Sequence, residues 1–157
     1  MALLWYNTGQ EEFMKSVLIA LIIAALDQFT KWVVQSHMDL GETIPLIPHV
    51  FHLTYILNPG AAFGILPHQS WFFLLIVAAL YVAFFIGRKK IPQKPAYFPL
   101  AVSMLLGGAL GNAIDRAWIG SVVDFFDFRI WPIFNVADIF ITVGIALIAF
   151  YFWRHST

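Results

Sequence analysis

The sequence predicts an all-α membrane protein of four transmembrane helices with a small, β-containing extracytoplasmic platform. Three observations carry that prediction. Of 157 residues, 61% are hydrophobic and 11% are charged, less than half the charged fraction of about 25% usual for a soluble domain. Four segments are apolar enough to cross a bilayer core, which takes about 20 such residues per helix. Lysine and arginine mark one set of ends of those segments. A chain this short cannot hide so much apolar surface within itself, because its surface-to-volume ratio is too high. A soluble enzyme and a disordered chain are both excluded.

The first span runs from about Met14 to Val34 and holds Asp27, Gln28 and Lys31. Lys15 and the run Val17–Leu26 imitate a signal peptide, but Asp27 interrupts where a small-residue cleavage site belongs. The span is read as retained. The second, Trp71–Gly87, has no charge. The third, Tyr97–Ile114, is uncharged and rich in small residues (Gly107, Gly108, Ala109, Gly111). The fourth, about Ile133–Trp153, contains the single charge Asp138. Residues 1–157 form one integral-membrane domain in this reading, with nothing assigned to Met1–Gln10.

Arg88, Lys89, Lys90 and Lys94 crowd the connection between spans two and three; Lys15 precedes span one and Arg154 follows span four. The positive-inside rule puts these regions and both termini in the cytoplasm. Gln35–Ser70 and Ala117–Pro132 then face outward. Trp71, Trp131 and Trp153 stand near span ends as interfacial anchors. Within the first outer segment, His49–Leu57 (HVFHLTYIL) is β-branched and aromatic, which predicts a short strand on the membrane surface. It leads into the turn Asn58-Pro59-Gly60.

Chemistry has few places to sit. There is no cysteine, which excludes thiolate catalysis and disulfides. Nine basic residues balance nine acidic ones, with no basic face for nucleic acid. The five histidines (His37, His49, His52, His68, His155) fall in predicted loops or the tail without ligand spacing. No metal or cofactor is expected.

Ionisable residues inside spans are costly and point to function. Asp27 and Lys31 stand at i,i+4, as a self-neutralising pair or as substrate contacts. Asn112, Asp115 and Arg116 in GNAIDR share one helix face, and an Asp115–Arg116 ion pair closing the helix end is the expectation for Asp115. Asp124 and Asp127 follow in VVDFFDF, then Asn135 and Asp138 in FNVADIF. Four of nine acids thus lie between positions 115 and 138, at one membrane boundary. Two carboxylates in a low-dielectric pocket cannot easily both ionise, so one keeps a proton. The ionised member then activates water while the other polarises the substrate, as in aspartic proteases. Asp138 has the strongest case, with Asn135 to orient it; its partner is Asp115, Asp124 or Asp127.

Five blocks resemble the lipoprotein signal peptidase (signal peptidase II) family: DQFTK (Asp27–Lys31), NPGAAFG (Asn58–Gly64), GGALGNAIDR (Gly107–Arg116), VVDFFDF (Val122–Phe128) and FNVADIFITVG (Phe134–Gly144). Five blocks in register with four spans are highly specific. The resemblance implies a monomeric aspartic endopeptidase of the bacterial inner membrane, with its site at the outer face. Its substrate is a prolipoprotein whose lipobox cysteine carries diacylglycerol, cut on the amino side of that cysteine, with the acyl chains left in membrane lipid. The family's catalytic acids correspond to Asp124 and Asp138. Asp27, Lys31, Asn58, Asn112, Arg116 and Asn135 match its other polar positions and are expected to bind substrate or support the dyad. The stretch between Asp124 and Asp138 is shorter than usual for the family, which implies a trimmed lid.

In the mechanism this suggests, a signal helix enters sideways from the bilayer and packs along spans two to four, where Gly107, Gly108 and Gly111 allow close approach. A small proton-coupled transporter is the alternative, but it needs acids mid-span, and only Asp27 is deep. A membrane scaffold explains the glycines and not the acids.

Overall fold

The structure is a computed structural model that describes residues 2–60 and 65–156, with side chains from Gln10 onward. Ala61–Gly64 of the NPGAAFG block lie outside the described residues. In chain order the elements are α1 (Ala2–His37), β1 (Thr43–Ile47), β2 (Phe51–Asn58), α2 (Ser70–Gly87), α3 (Tyr97–Ile119), β3 (Val122–Asp127) and α4 (Val136–His155), with a 3-10 turn at Arg88–Lys90. Segments Gln10–His37, Ser70–Lys90, Tyr97–Ile119 and Val136–His155 are long and apolar enough to cross a membrane. The chain is a multi-pass membrane protein.

Burial is distributed as lipid solvation requires. Leu18, Leu21, Ile22, Leu26 and Phe29 of α1 are exposed, and α2 buries only Phe84. Such apolar surface is at home only against lipid. The third helix is the hub: α1 and α4 pack on it extensively, and α2 packs chiefly on it. Its glycines explain how. A Cβ on Gly107 would stand 2.6 Å from the Ala20 carbonyl oxygen of α1, and one on Gly108 2.5 Å from that of Ala137 of α4. At Gly111 it would overlap the Asp27 carboxylate. These glycines therefore close the protein's own helix contacts, and the expectation that they receive a substrate helix is corrected.

Span boundaries also shift. The third helix continues past Ile114 to Ile119, ending where Gly120 takes the left-handed conformation (φ +75°) and its N–H reaches the Arg116 carbonyl. The fourth begins at Val136 rather than Ile133, because the Asn135 side chain caps it. The helix α1 extends beyond the predicted span at both ends.

The anticipated strand is β2, and it is the centre of a three-stranded antiparallel sheet ordered β1-β2-β3. The register pairs Thr43 with Thr54, and Asn58, Leu57 and Ile56 with Val122, Val123 and Asp124. The strand β3 was not foreseen. It is buried along nearly its whole length, so it lacks the apolar–polar alternation that betrays a half-exposed strand. Val123 and Phe125 join Val34, Met38 and Val136 in a core that ties the sheet to α1 and α4. Of the histidines, His52 lies on β2, while His37 and His155 end helices.

Candidate active site

Asp124 and Asp138 reach the same place from different elements. Asp124 sits mid-strand in β3, 1% exposed. Asp138 stands in the first turn of α4 and belongs to its capping box: the Asn135 side-chain oxygen accepts from the Asp138 N–H (2.9 Å), and Asp138 Oδ2 accepts from the Asn135 N–H (3.2 Å). That reciprocal arrangement satisfies two helix-end donors and fixes the carboxylate.

One residue bridges the pair. Asn135 Nδ2 donates to Asp124 Oδ1 at 2.7 Å. The second oxygen of Asp124 accepts from Asn58 Nδ2 (2.9 Å), and Asp138 Oδ1 accepts from Asn112 Nδ2 (2.8 Å). Each carboxylate therefore receives an N–H on both oxygens. The Asn58 amide is itself held, because its oxygen accepts from the Gly60 N–H at 3.0 Å.

Both acids, with Asn58, Asn112 and Arg116, line one end of a cleft of about 780 Å³. Its walls are apolar: Phe73, Ile76 and Leu80 of α2 face Ile139 and Val143 of α4, over Leu105 and Ala109 of α3. Trp131 and Pro132, from the short β3–α4 connection, also line it. Burial pushes the Asp124 carboxyl up to about 7, and the neighbouring Asp138 charge adds to it; the Asn58 and Asn135 donors and the Lys31 charge only partly offset this.

The remaining predicted residues separate into two groups. Arg116 faces the cleft, donating from Nη2 to the Gly60 carbonyl (2.9 Å) with its guanidinium 4.5 Å from the Phe73 ring centre. Asp27 and Lys31 lie behind the cleft wall, fully buried, as a 2.7 Å ion pair. Lys31 Nζ also meets Asp115 Oδ2 at 2.8 Å and donates to Asn112 Oδ1 at 2.9 Å. Asp27 Oδ1 accepts from the Ala137 N–H of α4 at 2.8 Å.

Asp115 does not pair with Arg116. The helix continues past it, so its side chain turns inward to Lys31, Gln28 Nε2 (2.7 Å) and the Val123 N–H (3.1 Å). Asp127 is also apart from Asp124 and Asp138. Three residues beyond Asp124 on a strand, it points to the opposite face. There it accepts from Thr54 (2.8 Å) and pairs with Arg129 (2.9 Å). Burial works against its ionised form, but the Thr54 and Arg129 donors hold it below the usual carboxylate range.

Sequence reasoning assigned no role to Gln28 or Phe73. Gln28 stands inside the DQFTK block beside Asp27, and that adjacency was its signal. Phe73 is one aromatic among many in an uncharged span, and nothing in the sequence marked it. Among the described residues no group of three or more metal-ligating side chains forms.

Two carboxyl groups bridged by one residue, Asn135, with one above its usual range at the polar end of an apolar cleft, suit general acid–base attack of water on a carbonyl.

Comparison with known proteins agrees. Residues 19–154 match the family model described as Signal peptidase (SPase) II. The chain is 52% identical over 133 residues to the lipoprotein signal peptidase of Brevibacillus brevis, covering 83% of this chain and 89% of that one. It is 43% identical over 139 residues to that of Halothermothrix orenii, covering 88% and 95%. A solved bacterial membrane enzyme, determined by the in meso method at 2.3 Å resolution, superposes with a TM-score of 0.84 at 37% identity, covering 91% of this chain and 90% of that one.

Proposed function

The chain belongs to the signal peptidase II family, and we propose that it removes signal peptides from prolipoproteins with Asp124 and Asp138 as its catalytic dyad. The observation that carries this reading is the Asn135 bridge, which holds two acids from separate elements at the polar end of an apolar cleft. Asp124, raised to about 7, is the member that keeps a proton near neutral pH. It donates to the scissile carbonyl, and Asp138 takes the proton from the attacking water. Protonation of the departing amine completes hydrolysis.

The cleft supplies orientation. An extended segment of substrate lies beside Asn58, Asn112 and Arg116, whose amide and guanidinium donors suit peptide carbonyls. The apolar walls of α2 and α4 take the signal helix from the bilayer. The diacylglyceryl chains stay in lipid, which sets the depth of the lipidated cysteine and places the bond on its amino side at the dyad. Positioning of this kind lowers the barrier without further contacts.

The remaining assignments belong to the same reading: a single domain acting as a monomer in the bacterial inner membrane, with both termini cytoplasmic. The cluster Arg88, Lys89, Lys90 and Lys94 between α2 and α3 supports that orientation. The dyad then lies at the outer face. The short connection carrying Trp131 is a trimmed lid over the site. The transporter alternative finds no support in the relatives, which are named as peptidases.

The test is a gel-shift assay with purified chain, a diacylglyceryl-modified prolipoprotein, and the unmodified precursor beside it. Cleavage of the lipidated substrate alone supports the whole reading. Cleavage of both keeps the peptidase and discards the lipid anchor as the specificity device. Cleavage of neither by folded protein overturns it.

A further inference from the structure

We propose that Lys31, which touches neither dyad carboxylate, is a positioning residue that locks the Asn112 amide in the one polarity that serves Asp138. The role rests on the dyad assigned above and deepens it.

Three asparagines aim an N–H at the dyad: Asn58 and Asn135 at Asp124, and Asn112 at Asp138. A primary amide is chemically two-sided, with donors on nitrogen and an acceptor on oxygen. Turned over, it presents oxygen to a carboxylate and the contact becomes repulsive. Each of the three is held against that by a group that can only donate. For Asn58 it is the Gly60 N–H, and for Asn135 the Asp138 N–H. Both are local backbone groups, within three residues of the asparagine they hold.

Asn112 has no such neighbour. It lies inside α3, where the backbone N–H groups are engaged by the helix itself. Its oxygen instead accepts from Lys31 Nζ at 2.9 Å and from Asn135 Nδ2 at 3.0 Å. Asn135 is another amide and is shared with Asp124 and the Val123 carbonyl. The ammonium is the contact that is donor-only by its own chemistry, whereas Asn135 donates to Asn112 only while the Asp138 N–H holds its amide in place.

The ion cluster around Lys31 then has a purpose beyond neutrality. An ammonium has three protons, and they go to Asp27, Asp115 and Asn112. The two aspartates hold the nitrogen from either side. Asp115 is braced by Gln28 and the Val123 N–H, and Asp27 by the Ala137 N–H at the start of α4. The third proton is thereby aimed at Asn112. Gly111, next to Asn112 in the chain, has no side chain to displace the Asp27 carboxylate. Charged groups facing Asp138 itself are Arg116 from α3 and Asp124 from β3; Lys31 reaches it only through the amide.

The test is a double-mutant cycle between Lys31 and Asn112, read as kcat and KM on the lipidated prolipoprotein, with detergent melting to confirm folding. Lys31→Met leaves two buried carboxylates unpaired, so Lys31→Met with Asp27→Asn, which preserves the cluster's net charge, is the second variant. Either folded variant is expected to lose about 10- to 100-fold in kcat, the scale of one hydrogen bond to a charged group, with KM changed by less than about threefold. Added to Asn112→Ala, the same changes should cost almost nothing further, since the amide they orient is gone. Lys31→Arg, a donor-only cation, should recover part of kcat.

Losses in kcat that multiply across the cycle would overturn the role, because they would show Lys31 acting by some other route. So would a folded Lys31→Met variant with normal kcat. Asp124→Asn and Asp138→Asn run alongside: if they stay active the dyad itself is wrong, and if they are inactive while the cycle multiplies, only Lys31's role falls.

Discussion

Two clusters of acids lie on opposite sides of the same wall of α3, and they are built from nearly the same parts. Behind the wall, Asp27 and Asp115 flank the Lys31 charge and take further hydrogen bonds from backbone N–H groups and the Gln28 amide. In front of it, Asp124 and Asp138 have no ion pair among the described residues and rely on neutral amides. The first cluster is packed shut; the second faces an open cleft of about 780 Å³. Asp124, held only by amides and pushed up to about 7 by burial and the neighbouring Asp138 charge, keeps a proton affinity that acid–base chemistry near neutral pH can use. Under the proposed function, what separates the structural acids from the reactive pair is a cation partner on one side and an open cleft on the other.

The sharpest way to break that contrast is at the carboxylates themselves. Asp124→Asn and Asp138→Asn should each reduce cleavage by about 10³-fold or more, the scale of losing a general acid or base, with a folded protein in detergent. Asp127→Asn should stay within a few-fold of wild type, because its oxygens serve Thr54 and Arg129 on the other face of β3. A large loss at Asp127 with Asp124→Asn still active would move the dyad.

A smaller effect reports on the amides. Asn58→Ala removes a donor that favours the ionised form of Asp124, so the Asp124 carboxyl should rise further above about 7. If Asp124 is the proton donor, kcat of wild type declines as pH climbs through that value, and the decline should move to higher pH in the variant. More Asp124 is then protonated near neutral pH, so the loss of about tenfold in kcat expected there comes from the missing Asn58 donor beside the substrate and not from protonation. A decline that stays in place, or moves down, would take the proton donor's role from Asp124.

The four spans, the strand at β2 and the charged residues of both clusters were legible in the sequence, because charge in an apolar chain is conspicuous. Asp138 beside Asn135 could be read from i,i+3 spacing alone, since both lie at one helix start. What could not be read were relations across elements. Residue spacing left Asp115, Asp124 and Asp127 equal as partners; the family resemblance chose Asp124, and in the structure it is Asp124 that shares Asn135 with Asp138. Strand β3 sends Asp124 and Asp127 to opposite faces, whereas a helix would have kept residues three apart together. Asp115 was misplaced for a similar cause. Its neighbour Arg116 looked like a partner until the helix continued to Ile119 and turned the two side chains to different sides.

Disturbing the closed cluster should cost stability. Gly111→Ala would drive a methyl group into the Asp27 carboxylate, which is held by Lys31, the Ala137 N–H and the Gln28 amide. Overpacking of this kind costs about 1–3 kcal/mol, and displacing one member of a buried ion pair adds to it. A lowered melting point in detergent is the expected outcome. Gly87→Ala is the control, since a Cβ there meets nothing within 4 Å. Equal melting of the two variants would show that the cluster yields without cost.

The smallest effect tests the outer edge of the comparison. Arg129 pairs with Asp127 from a half-exposed position, and its backbone is in the left-handed region at φ +64°. Arg129→Gly removes the ion pair, which at a solvated site is worth about 1 kcal/mol or less. It also relieves a conformation that costs a side-chain-bearing residue about 1–2 kcal/mol. The two terms oppose each other, so melting should change little or rise slightly. Because Asp127 faces away from Asp124, kcat should stay within about twofold. Arg129→Gln keeps the strain and loses the pair, so it should melt below Arg129→Gly. If kcat instead fell sharply in both variants, the two faces of β3 would be coupled, and the divide between structural and reactive acids would not run along this strand.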